Sequence, residues 1–203
     1  MHNKIRIDGA GHDPEAYGSR ATMAPVNLQP FALAVPEPDL AELRRRVRAT
    51  RWPDQLAAPA NADWEYGTER GYLQALAGYW ADGFDWRAAE VRFNAVAPQF
   101  KATVRGRRLH FLHQPCRGPA PGAPALLICH GWPGSVFEFH KVVGPLAVDF
   151  HVVAPSIPGF GFSEAASARG FNAPEAARDF HQLMLDLGYS TYVAQGGDCS
   201  HGR

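Results

Sequence analysis

The chain predicts an α/β fold in two parts, an N-terminal helical segment followed by the start of a sheet with crossover helices, and three observations carry that prediction. Apolar residues recur at helical spacing between residues 37 and 93. Two short runs alternate at period two around Gly106. Three later runs are continuously apolar, as strands buried on both faces of a parallel sheet must be.

Residues 1–27 are rich in Gly, Pro, His and charge without periodicity, and are expected to form a disordered leader, with Met23 a candidate start. From Glu37 to Ala49, Leu40, Leu43 and Val47 line one face of a helix whose other face is arginine-rich and expected to be solvated; Trp52-Pro53 ends the run. Tyr72, Leu76, Tyr79 and Trp80, after Thr68, predict a second helix. Trp86 to Phe93, after the capping candidate Asp85, predict a third. Trp64, Trp80 and Trp86 are expected as core anchors, because aromatic side chains dominate packing energetics. The helical domain thus spans 28–98 and a second domain 99–203.

In the second domain, the segments from Lys101 and from Arg108 predict two antiparallel strands joined by a tight turn at Gly106. His110 and His113 fall on them as strand-face residues, and a spacing of three cannot put both on one face. Ala125 to Cys129, Phe150 to Ala154 and Tyr192 to Ala194 are the buried strands. Between them lie helix candidates at Val136 to Val143 and from Asn172 to Gly188. The latter has Asn172 as N-cap, Glu175 at the capping-box position, and Ala177, Phe180, Met184 and Leu187 on its helical face.

Composition excludes several classes. The 203 residues carry 20 Lys+Arg against 20 Asp+Glu, so no basic field attracts nucleic acid or anionic lipid. Cys116, Cys129 and Cys199 are odd in number and lack zinc-site spacing, so neither a metal nor a disulfide scaffold is expected and a reducing cytoplasm is. No apolar run approaches a membrane span, and no signal-peptide pattern opens the chain.

Chemistry concentrates in two loops that follow predicted strands, the place where open α/β sheets bind ligands. His130-Gly-Trp-Pro-Gly-Ser135 is one and Gln195-Gly-Gly-Asp-Cys-Ser200 the other, and they should converge. The second has the form small-x-Asp-x-small, with Gly196 and Ser200 flanking Asp198, as a nucleophile on a sharp strand-to-helix turn requires. A carboxylate is ionised at neutral pH and attacks an sp³ carbon without an activating base. Pro133 has no N–H, so the backbone amides of Trp132 and Cys199 are the candidate oxyanion donors. No Gly-x-Ser-x-Gly supports a serine hydrolase. Gly159-Phe-Gly161 lacks the third glycine of a dinucleotide fingerprint at Glu164.

Together, His130-Gly-Trp-Pro-Gly-Ser135, Pro155-Ser-Ile-Pro-Gly-Phe-Gly-Phe-Ser163 and Tyr192-Val-Ala-Gln-Gly-Gly-Asp198 resemble the epoxide hydrolases, particularly their microsomal-like and juvenile-hormone branch. Arg51-Trp-Pro-Asp54, Trp64-Glu-Tyr-Gly67, Tyr79-Trp80 and Phe84-Asp-Trp-Arg87 are similar to the helical N-terminal domain of that branch. The resemblance runs from Leu28 to Asp198. It implies the first half of an α/β-hydrolase fold, with an incomplete sheet and no lid domain. It further implies attack of Asp198 on an epoxide carbon, protonation by lid tyrosines, then hydrolysis of the aspartyl ester by a His paired with an acid. No cofactor or metal is implied; the substrate is a small hydrophobic epoxide, contacted by Trp132 and Pro133.

The family continues from its nucleophile with Trp-Gly, whereas this chain reads Cys199-Ser200-His201-Gly202-Arg203. The base, its acid and the lid tyrosines are expected downstream. His201 sits in the nucleophile's own turn, while a base must approach from another loop. A truncated or frameshifted coding sequence with impaired activity is therefore expected. The competing expectations are a haloalkane-dehalogenase-like hydrolase using the same aspartate, and a non-catalytic fragment.

Overall fold

The computed structural model describes residues 5–6, 27–56, 64–65, 67–119 and 122–198. Seven strands form one mixed sheet in the order β1-β7-β5-β6-β4-β3-β2. They are β1 Ile5–Arg6, β2 Gln29–Phe31, β3 Gln99–Val104, β4 Arg107–Gln114, β5 Ala125–Cys129, β6 His151–Pro155 and β7 Tyr192–Gly196. The three continuously apolar runs are the parallel centre, β7-β5-β6, and the hairpin β3-β4 extends it antiparallel beside β6.

The hairpin turns at Arg105 and Gly106, both at positive φ, which is the two-residue geometry whose twist matches that of the flanking strands. β2 adds to β3 through Gln29 to Lys101, Pro30 to Phe100 and Phe31 to Gln99, so residues the sequence assigns to the helical domain belong to the sheet. The expected disordered leader meets an exception as well: Ile5–Arg6 pairs antiparallel with Ala194 and Val193 on the outer side of β7. That pairing covers part of a strand expected to stand as an open edge. The other residues of 1–26 lie outside the described ones.

α5, Ala173–Asp186, supplies the cover for one sheet face. Ala176, Phe180, Leu183 and Met184 come from one stripe of it and pack with Leu109, Phe111, Leu127 and Val153 from β4, β5 and β6. Val152 and Ala154 on the alternate face are also fully buried, so β6 is covered on both sides. Asn172 caps α5 by accepting the Glu175 N–H at 3.1 Å. Glu175 turns its carboxylate to Arg105 and Arg178, so only half of the expected capping box forms.

The helix expected over Val136 to Val143 is instead a 3₁₀ turn, Val136–Phe139, followed after a break by the short helix α4, Val143–Leu146. Ser135 and Glu138 close a full capping box on the 3₁₀ turn.

Leu33–Val91 forms a second compact unit. It holds α1, Glu37–Arg48, and α2, Arg70–Gly78, which runs into a π turn at Tyr79–Gly83, and the start of α3, Trp86–Asn94. Leu40 is the buried anchor of α1, while Arg45 and Arg46 pair with Glu42 on its solvated face. Glu90 binds the unit together by accepting the Val35 N–H, the Trp86 indole N–H and the Arg87 guanidinium. The tryptophan expectation is corrected: Trp64 is 51% and Trp80 47% exposed, so neither is a core anchor. Trp64 packs edge-on to Tyr72, itself exposed. Among the described residues, no helix is long and apolar enough to cross a membrane.

Candidate active site

The register of the central strands brings the two chemical loops together. β5 and β7 run parallel with Cys129 opposite Gly196, so the chain leaves both strands at the same height on the same end of the sheet. His130-Gly131-Trp132 follows one and Gly197-Asp198 the other. The Trp132 backbone N–H donates to Asp198 Oδ2 at 2.7 Å, a charge-assisted bond length. The convergence expected from the sequence is therefore made by a direct hydrogen bond between an expected oxyanion donor and the expected nucleophile.

Asp198 sits at φ +55°, in the left-handed region that few residues other than glycine adopt, although Asp tolerates it better than most. The turn is sharp enough to lift the carboxylate off the end of β7 and aim it across at the neighbouring loop. Gly131 makes room for it. A Cβ at that position would lie 2.7 Å from Asp198 Oδ2 and 2.8 Å from Asp198 Cβ, closer than atoms approach. Gly134 is under a similar constraint, since its Cβ would fall 1.8 Å from Glu138 Oε1 in the capping box.

The other expected site residues divide. Trp132, 65% exposed, and Pro133 stand on the open rim beside the carboxylate, available to an apolar ligand. Cys199, the second expected amide donor, lies outside the described residues, as does His201.

Beneath the rim is a layer of polar side chains to which the sequence reading gave no role in the site. His130 is 1% exposed; its Nε2 accepts the Ile157 N–H at 3.0 Å, and its Nδ1 lies 3.0 Å from the Gly131 carbonyl oxygen. Ser163 Oγ donates to the Ser156 carbonyl and accepts the His110 N–H, which ties the loop after β6 back to β4. Ser156 Oγ completes the tie on His110 Nδ1 at 2.9 Å, and Gln99 Oε1 takes His110 Nε2 at 3.0 Å. Burial, helped by the nearby Lys101 charge, pushes the His110 imidazole down to about 4, so it is neutral in the fold. Cys129, at the end of β5, is likewise held as a thiol, with burial pushing it up to about 12. Thus the His110 imidazole and the Cys129 thiol stand as neutral packing groups, whereas the Asp198 carboxylate is exposed.

The placement agrees with what the chain is similar to. Residues 28–139 match the family model described as the epoxide hydrolase N terminus, and residues 124–199 match that of the alpha/beta hydrolase fold. Epoxide hydrolase 1 of Oryctolagus cuniculus is 37% identical over 189 residues, covering 85% of this chain and 40% of that protein. The crystal structure of juvenile hormone epoxide hydrolase from Bombyx mori matches with a TM-score of 0.74 at 32% identity, over 86% of this chain and 47% of that one. The structure of Aspergillus niger epoxide hydrolase matches with a TM-score of 0.76 at 31% identity, over 88% and 48%. The chain spans about 40% of the length of the curated relative and under half of each solved one. A mixed α/β sheet, an aspartate at the turn after β7 and a family match over more than half the residues have one reading: the chain belongs to the epoxide hydrolase family.

Proposed function

We propose that this chain opens small hydrophobic epoxides with the Asp198 carboxylate, forming a covalent aspartyl ester, and that in its longer relatives the same site completes hydrolysis to a diol. The observation that carries this is the 2.7 Å bond from the Trp132 N–H to Asp198 Oδ2. With Oδ2 held, Oδ1 is the oxygen left to attack. Its lone pair forms a bond to a ring carbon, the ring C–O bond breaks, and the alkoxide takes up a proton from solvent water to become the hydroxyl of the adduct. Oδ2 then becomes the ester carbonyl oxygen. It already sits on the donor that would stabilise the oxyanion when water attacks, a contribution of roughly 2.7–4 kcal/mol in related acyl chemistry.

Trp132 and Pro133 on the rim supply apolar contact for the substrate. Release of the diol requires a base to activate water, which the family resemblance puts on a loop beyond residue 198. The first step by itself places one adduct on each molecule. The odd cysteine count supports a reducing, cytoplasmic setting.

Intact-mass spectrometry after incubation with styrene oxide is the test. We expect a single added mass, located at Asp198 by peptide sequencing, and none in Asp198→Asn. An adduct elsewhere, or none in the unmodified chain, would overturn the proposal.

A further inference from the structure

The geometry points to His130 as the positioning residue that aims the Trp132 amide at Asp198, acting through the Gly131 carbonyl. Its tautomer is dictated by its two neighbours. The Ile157 N–H can only donate, so Nε2, 3.0 Å away, carries no hydrogen. The Gly131 carbonyl oxygen can only accept, so Nδ1, also 3.0 Å away, carries one. Both bonds call for the same neutral imidazole, and burial at 1% exposure leaves no water to substitute for either. Phe160 packs edge-on against the ring at 5.7 Å between centroids and keeps it from rotating.

The consequence follows from peptide geometry. The Gly131–Trp132 peptide is trans, so its C=O and N–H point to opposite sides of one rigid plane. Holding the carbonyl toward His130 turns the N–H outward, and the outward direction is where Asp198 Oδ2 lies, 2.7 Å away. A glycine at 131 leaves this plane intrinsically free to rotate, since no Cβ restricts φ. It also admits the carboxylate, which a Cβ would strike at 2.7 Å. The position thus needs glycine for space and an outside clamp for direction, and the His130 Nδ1–H supplies the clamp. Ile157 links the clamp to the loop after β6, so the amide is set by three adjacent strand ends.

The structural half of this inference stands on geometry, while its catalytic half rests on the proposed epoxide opening; the experiment separates them. Asparagine at 130 places an N–H donor near the Nδ1 position, whereas glutamine reaches toward Nε2 and leaves the Gly131 carbonyl without a donor. His130→Asn and His130→Gln are therefore compared in protein labelled with ¹⁵N-tryptophan, the Trp132 amide being identified by its loss in Trp132→Phe. Asp198→Ala marks the amide's position without its acceptor. We expect His130→Asn to keep the wild-type Trp132 signal and His130→Gln to move it toward the Asp198→Ala position. With styrene oxide, the adduct rate should fall roughly tenfold or more in His130→Gln and stay near wild type in His130→Asn, because a misaimed donor loses most of its effect.

An unmoved signal in folded His130→Gln, or equal displacement in both variants, would overturn the clamp. Displacement in His130→Gln alone, with no adduct in wild type, would retain the clamp and reject the epoxide chemistry.

Discussion

At the scale of single residues, the site is decided by distances of a few tenths of an ångström. Gly131 gives the sharpest test, since a methyl there would lie 2.7 Å from Asp198 Oδ2, well inside van der Waals contact. Gly131→Ala is therefore expected to displace the carboxylate and cut the rate of adduct formation about 100-fold, as small misplacements of reacting groups do. The melting temperature should change much less, because the clash can be relieved by moving an exposed aspartate. Parallel mass-spectrometric and thermal measurements check it; a large loss of stability with normal alkylation would contradict this account. The motif around Gly131 was legible in the sequence, but the partner a Cβ would strike was not, since Asp198 is 67 residues away along the chain.

At the scale of elements, a buried carboxylate outweighs a helix cap. Asp179 on α5 is 3% exposed and accepts from Arg105 at 2.7 Å and Arg107 at 3.1 Å, fastening the β3-β4 turn onto the helix. Asn172, on the same helix, makes one exposed capping bond. Asn172→Ala should cost about 1 kcal/mol of unfolding free energy, the usual worth of a cap. Asp179→Ala should cost about 2–3 kcal/mol, because it strands two guanidinium groups beside a buried cavity, though partial exposure of Arg105 limits the penalty. Urea denaturation of the two variants checks the order, and a larger cost for the cap would refute it. α5 itself was readable from its apolar stripe and Asn172. Asp179 was not, because its neutralising arginines approach from a hairpin more than 70 residues earlier.

Across the whole molecule, the buried His110 makes stability depend on pH. Burial first, then the Lys101 charge, holds it at about 4, whereas the unfolded chain protonates it near 6.5. Between those values the unfolded state binds a proton that the folded state refuses. Stability from this group is thus complete above pH 6.5 and falls as the pH drops toward 4, by on the order of 3 kcal/mol in all. His113, lowered by burial and by its neighbour His151, acts in the same direction. Urea midpoints at pH 7.5, 6 and 5 should decline in that order for the wild type. His110→Gln, which cannot titrate, should show a shallower decline; an equal slope would assign the effect to other groups.

By itself the sequence determined the strands β3 to β7, the hairpin of the first two, the long helix α5 and the carboxylate proposed to react, because each is written in local periodicity, caps or a contiguous motif. It missed where locality failed. The helix expected over Val136 to Val143 became a 3₁₀ turn that stops at Phe139, with Ser135 and Glu138 capping its start. Trp64 and Trp80, apolar by type, stayed exposed because burial depends on which surfaces meet. Ile5–Arg6 and Gln29–Phe31 joined the sheet although too short to show a period, since backbone pairing needs a neighbour's free edge more than a pattern of side chains. Only the tertiary structure decided that Trp132 would donate to Asp198 and that His130 would hold the peptide between them. Hydrogen bonds act over about 3 Å in space, and no spacing along the chain specifies that distance until the strands are in register.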